Sequence, residues 1–156
     1  MSARGVAIVA ACCGLAALSA APSAHADPDH GVTMLGGCGR GGVLTGTVVP
    51  GSGSAGQGVH READLWDCSS PLLPGIVSGH FTADLPWLGF DPPGRVTIAW
   101  SDGSVSTATA YPNALWGITD GPGAGHALRL NLAIEMTGKW YYTGGSMPVS
   151  SATFLQ

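Results

Sequence analysis

His60, Glu62 and Asp64 alternate within residues 58–68 (GVHREADLWDC), so on a strand they share one face. His80 and Asp84 share a face of a neighbouring element in the same way. Imidazole and carboxylate together can ligate zinc or work as an acid/base pair, which makes His60, Glu62 and His80 the candidate metal set. The plainer reading is a solvent-facing strand whose polar side is simply wet, because an exposed sheet face requires period-2 polar residues. That reading is preferred on sequence grounds.

Aromatic residues form the second candidate set. Trp87 and Phe90 lie in a proline-rich stretch, Trp116 on a short apolar run, and Trp140-Tyr141-Tyr142 follow the longest alternating run. Adjacent aromatics on a strand cannot all face inward, so at least one of Trp140 and Tyr141 is expected at a rim. Trp87, Trp116, Trp140 and Tyr141 are therefore the candidate platform for sugar rings or for a protein partner, weighed against core packing and loop anchoring. Trp66 and Trp100 are assigned to the core.

Other chemistry is hard to find. There is no G-x-S-x-G elbow, no H-E-x-x-H and no P-loop, and no motif calls for a cofactor. The glycines at 51, 53, 56 and 58 sit in a Gly/Ser loop after Pro50, with no helix behind them to hold a phosphate. Lys and Arg number 6 against 10 Asp and Glu, and the cations are scattered, which argues against nucleic acid as a partner.

The elements that must position these residues read as strands. With 25 Gly and 11 Pro but recurring apolar residues, the composition suits strands joined by turns rather than disorder. Residues 94–110 (GRVTIAWSDGSVSTATA) carry the strongest local signal, an Asp102-Gly103 pair suited to a two-residue type I′ turn. Pairing outward from it sets Trp100 opposite Val105, Ile98 opposite Thr107 and Val96 opposite Thr109 as the core face, with Ser106 and Ala108 facing away. Further strands are expected at 42–49, 58–68, 76–83 (with Val77, Phe81 and Ala83 on one side), 115–118, 126–136 and 149–155. Residues 84–94 read as a loop, since proline cannot donate to a ladder. About eight short strands point to an all-β fold, an antiparallel β-sandwich or barrel.

The N-terminus reads as a secretory signal peptide over residues 1–26: Arg4, an apolar run from Val6 to Leu18, and Ala24-His25-Ala26 as the cleavage site. A lipoprotein-like reading at Cys12 is disfavoured because only half the apolar run precedes it. Residues 27–41 then form an extended lead-in or a short edge strand, and 42–156 a single β-domain with no membrane span. Cys38 and Cys68 remain after cleavage, an even count in an oxidising compartment, and are expected to form one disulfide contributing about 3–4 kcal/mol.

The Ala24-His25-Ala26 site before Asp27-Pro28, the Leu44-Thr45-Gly46-Thr47-Val48 strand, Cys68 and the Val96–Ser104 hairpin (VTIAWSDGS) together resemble small uncharacterised secreted β-proteins of high-GC Gram-positive bacteria. The resemblance implies location and fold and carries no catalytic residues. The sequence thus favours a secreted, non-enzymatic β-module that binds a protein or glycan at or near the cell envelope. The alternative is a small extracellular hydrolase built on the His60/Glu62/His80 region. Intact-mass analysis of secreted protein should find Asp27 as the first residue; a chain retained or acylated at Cys12 would overturn the processing.

Overall fold

The computed structural model describes residues 34–156, so the segment expected to be a signal peptide, with its expected cleavage site, lies outside the described residues. The described chain forms a closed antiparallel barrel. Its staves are β1 (Met34–Gly41), β4 (Gln57–Ser69), β5 (Ser78–Pro86), β6 (Arg95–Trp100), β7 (Val105–Ala110), β8 (Leu115–Asp120), β9 (Ala127–Leu132) and β10 (Met147–Leu155). Each pairs with the next in sequence from β4 to β10, and β1 closes the ring between β10 and β4. Two short strands, β2 (Val43–Leu44) and β3 (Thr47–Pro50), add to β10 and β4 respectively. The choice between sandwich and barrel is therefore decided for the barrel.

Closure depends on the length of β4. Residues 37–41 run antiparallel to one end of it, and residues 47–50 to the other, along the same edge. The amides of Gly42 and Thr45 bond Asp64 and Glu62 carbonyls between those two stretches. Residues 34–41, read from the sequence as a lead-in or an edge strand, are thus a stave paired on both sides, and the domain boundary moves forward to include them. The expected Cys38–Cys68 disulfide is present and joins two directly opposed residues across this seam. The positive φ of 55° at Asp67 lets Trp66 and Asp67 both face outward before Cys68 turns in.

The hairpin differs from its expected register by one residue. Trp100 N–H bonds Ser104 O at 2.8 Å and Gly103 N–H bonds Trp100 O at 3.0 Å, so the loop has three residues, 101–103, rather than two. Gly103 at φ +86° supplies the left-handed position that such a loop requires. Local bonds select it: Asp102 Oδ1 accepts from Ser104 N–H, and Ser101 Oγ accepts from Val77 N–H and Ser78 N–H. A one-residue slip flips a strand's faces. Val96, Ile98 and Trp100 do face the core, but on β7 the inward set is Ser106, Ala108 and Ala110, while Val105 and Thr107 are exposed. Large side chains on β6 thus meet small ones on β7, and the barrel interior gains room for Trp116.

Other boundaries shift for similar reasons. The expected strand at 42–49 is broken at Thr45-Gly46, and Pro50 still pairs, opposite Gln57. Val77 precedes β5 and is exposed, and β5 runs on through Leu85 to Pro86 into the expected loop. The alternation in 126–136 outlasts the strand: β9 ends at Leu132, where the chain bends away, leaving Ile134 63% exposed. Trp66, assigned to the core, is 39% exposed because regular alternation, with Ala63 and Leu65 inward, places it on the outer face of β4.

Ser106 carries the consequence of the slip. It is 0% exposed, accepts from Trp100 Nε1 at 2.7 Å and donates to Pro122 O at 2.7 Å. Ser106→Ala should cost about 1–3 kcal/mol by stranding the indole N–H, against roughly 3–5 kcal/mol for Trp100→Ala. Thr107→Ala should stay within about 0.5 kcal/mol. Thermal melts in which Thr107→Ala hurts more than Ser106→Ala would restore the two-residue turn.

Candidate functional site

Register decides what the polar cluster can do. His60 stands opposite Asp84, and Asp64 opposite His80, on the outer face of β4 and β5. Each histidine is held by the carboxylate across from it: His60 Nδ1 lies 2.7 Å from Asp84 Oδ1, and His80 Nδ1 lies 2.7 Å from Asp64 Oδ1. The two pairs sit four residues apart along β5, about 13 Å at a strand's rise per residue. His60, Glu62 and His80 therefore do not converge on one ion. Among the described residues no group of three His, Cys, Asp or Glu is arranged around a metal. Glu62 leans toward one partner only, with Oε2 at 3.8 Å from His80 Nε2.

The aromatic set divides differently. Trp116 is fully buried and Tyr141 nearly so, and neither offers a face to a ligand. The barrel axis is filled instead: Phe81, Trp116, Tyr141 and Trp140 form a chain of edge-on contacts with ring centroids 5.3 Å apart at each step. The run 140–142 is not a strand but part of a 3₁₀ turn, Gly138–Tyr142. Successive side chains there rotate by about 120° rather than 180°, which lets Tyr141 and Tyr142 both bury while Trp140 is left half-buried at the rim. Trp87 is also half-buried and packs against the core.

Sequence reasoning missed Arg61, which sits among the outward His60 and Glu62 in sequence but points into the barrel and is 0% exposed. All five of its N–H groups reach backbone carbonyls: Nε to Tyr141, Nη1 to Thr45 and Gly145, Nη2 to Trp140 and Thr143, at 2.7–3.3 Å. Its guanidinium also lies 4.0 Å from the Trp140 ring centroid. Burial pushes its pKa down to about 10, so it remains charged at neutral pH, and burial raises those of Tyr141 and Tyr142. Strict period-2 placement of Arg61 with Val59, Ala63 and Leu65 was the signal available in the sequence. The space it needs also explains Gly46, where a Cβ would fall 2.7 Å from Arg61 Nη1 and 2.3 Å from Gly145 O.

Arg61 fixes the 138–145 segment, and that segment fixes an exposed apolar loop. Leu88 N–H bonds Tyr142 O at 2.9 Å, and Phe90 packs edge-on against Tyr142 at 4.5 Å. The backbone of Trp87 accepts from Ser54 N–H and donates to Gln57 O. Leu88 so held has φ +53° and is 57% exposed, with Phe90 and Val48 also exposed nearby on the same end of the fold. A left-handed backbone is uncommon for a bulky residue, and strain of this kind persists only where the surroundings over-determine it.

No family model matches this chain, and no curated protein or solved structure matches it either. No helix among the described residues is long and apolar enough to cross a membrane.

Arg61→Met removes five donors at once and strands buried carbonyls, so it should cost at least about 3 kcal/mol. Arg61→Lys keeps the charge but not the planar fork and should recover only part of that. The exposed Arg95→Met is the control, expected within about 0.5 kcal/mol. Denaturant melts in which Arg61→Met matches Arg95→Met would show that the buried fork does not organise the barrel end.

Proposed function

We propose that this chain is a secreted, non-enzymatic binding module that engages a protein partner through the apolar loop at Trp87–Phe90. The observation that carries the reading is Leu88, a bulky aliphatic side chain displayed to solvent on a strained and hydrogen-bonded backbone. Both features are unfavourable in the free protein, and a partner with an apolar pocket would recover the exposed surface. The filled barrel axis supports a site on the outside, because a small barrel holds a ligand only where side chains leave room. Placement at the cell envelope comes from the signal-like N-terminus.

A glycan is the second reading, favoured by one observation. Trp66 is exposed, with the Arg40 guanidinium 5.9 Å from its ring centroid and Arg40 itself paired with Asp67. A flat ring bordered by charged hydrogen-bonding groups suits a sugar's apolar face and its hydroxyls. The hydrolase alternative would need His60 beside the His80–Glu62 pair, and the strand register holds it away.

Photo-crosslinking distinguishes these readings. A photoreactive residue at Leu88, exposed to envelope fractions, should yield a discrete protein adduct, while the same probe at Val105 on the barrel wall should not. Leu88→Gly should leave the melt nearly unchanged, since φ +53° suits glycine, yet abolish partner binding. Equal adducts from both positions, or none from Leu88, would sink the protein reading. Tryptophan fluorescence that responds to envelope oligosaccharides in the wild type and not in Trp66→Ala would replace it with the glycan.

A further inference from the structure

The barrel's outer wall carries two histidine–aspartate pairs of the same local design, and only one of them faces a further carboxylate. His80 Nδ1 lies 2.7 Å from Asp64 Oδ1. A carboxylate accepts only, so the ring proton sits on Nδ1, and in the neutral ring Nε2 presents a lone pair. That lone pair lies 3.8 Å from Glu62 Oε2, itself an acceptor. The 3.8 Å between the two atoms is too long for a hydrogen bond and leaves a gap that an ion can bridge. A surface recess of about 190 Å³ opens beside them, lined by Thr45, Glu62, Asp64 and His80 with Val43 at its edge.

We propose that this gap is a binding site for a divalent transition-metal ion of the zinc, nickel or copper class, with His80 Nε2 and Glu62 Oε2 as its two protein ligands. The metal–nitrogen and metal–oxygen bonds of zinc, about 2.0–2.2 Å each, span 3.8 Å at a ligand–metal–ligand angle of roughly 130°. Closing the gap by a few tenths of an ångström reaches the tetrahedral angle. Asp64 is the outer-shell carboxylate: it holds the ring orientation and the tautomer. The imidazole nitrogen selects against magnesium and calcium, which take oxygen ligands. Water completes the coordination from the recess, and the site stays open because the protein supplies two ligands. The proposal is independent of the apolar loop.

His60 is the built-in comparison. Its Nδ1 is held by Asp84 at the same 2.7 Å, but Asp84 is the one carboxylate paired with it, whereas His80 lies near both Asp64 and Glu62. The two histidines therefore differ in the one feature the proposal uses.

The test is a titration of the purified full secreted chain with zinc chloride, read by the side-chain nitrogen signals of the histidines in two-dimensional NMR. His80 Nε2 should move on zinc addition and His60 should not. Affinity should fall at least tenfold in Glu62→Gln, and by about 10–100-fold in Asp64→Asn, the usual effect of removing an outer-shell partner. His80→Gln should abolish binding, and His60→Gln should leave it unchanged. All four positions are on the outer wall, so a melt unchanged from wild type confirms that each variant is folded. A His80 signal that stays still under excess zinc, an unaltered affinity in Glu62→Gln, or an equal response at His60 would overturn the proposal.

Discussion

One guanidinium inside the barrel organises the end of the molecule that carries the exposed Leu88 loop. Arg61 has five N–H groups and uses all five on carbonyls, four of them within residues 140–145. No carboxylate is among the partners. The desolvation cost of a buried charge is met by carbonyl dipoles and the faces of Trp140 and Tyr141. Arg61 closes the mouth, ties β4 to the segment before β10, and sets the Tyr142 carbonyl that fixes Leu88. The strained loop and the buried fork are thus two ends of one network.

Packing along the axis supports the proposed site on the outer surface. An eight-stranded barrel is wide enough to be filled by side chains or to hold one small ligand. Here the inward residues of β6 and β8 are large and those of β7 are small, so that Trp116 fits between Phe81 and Tyr141. The three-residue loop at 101–103 makes that complementarity possible, because it delivers Ser106, Ala108 and Ala110 to the interior. A two-residue turn would have delivered Val105, Thr107 and Thr109, crowding the space Trp116 occupies. The left-handed backbone at Asp67 acts in the same way at the seam, letting Asp67 face outward beside Trp66 while Cys68 turns in to meet Cys38.

Much was legible in the sequence by itself. Period-2 alternation and dense turn residues determined an antiparallel all-β chain, and cysteine count determined the Cys38–Cys68 pair. Alternation also put His60, Glu62 and Asp64 on one face of their strand, and His80 and Asp84 on one face of the next, because side-chain direction along a strand is a local property. What only the tertiary structure decided was every property set by a neighbour from elsewhere in the chain. Closure required β1 to reach both β4 and β10. The hairpin register was chosen by Ser101 and Asp102 bonds that compete with a strong two-residue signal. The His60–His80 separation follows from cross-strand register. Burial of Arg61 depended on carbonyls about 80 positions away in the chain, and Leu88's exposure depended on Tyr142. Long-range pairing, not residue type, settled those outcomes, since an alternating pattern states which residues share a face but not what lies opposite them.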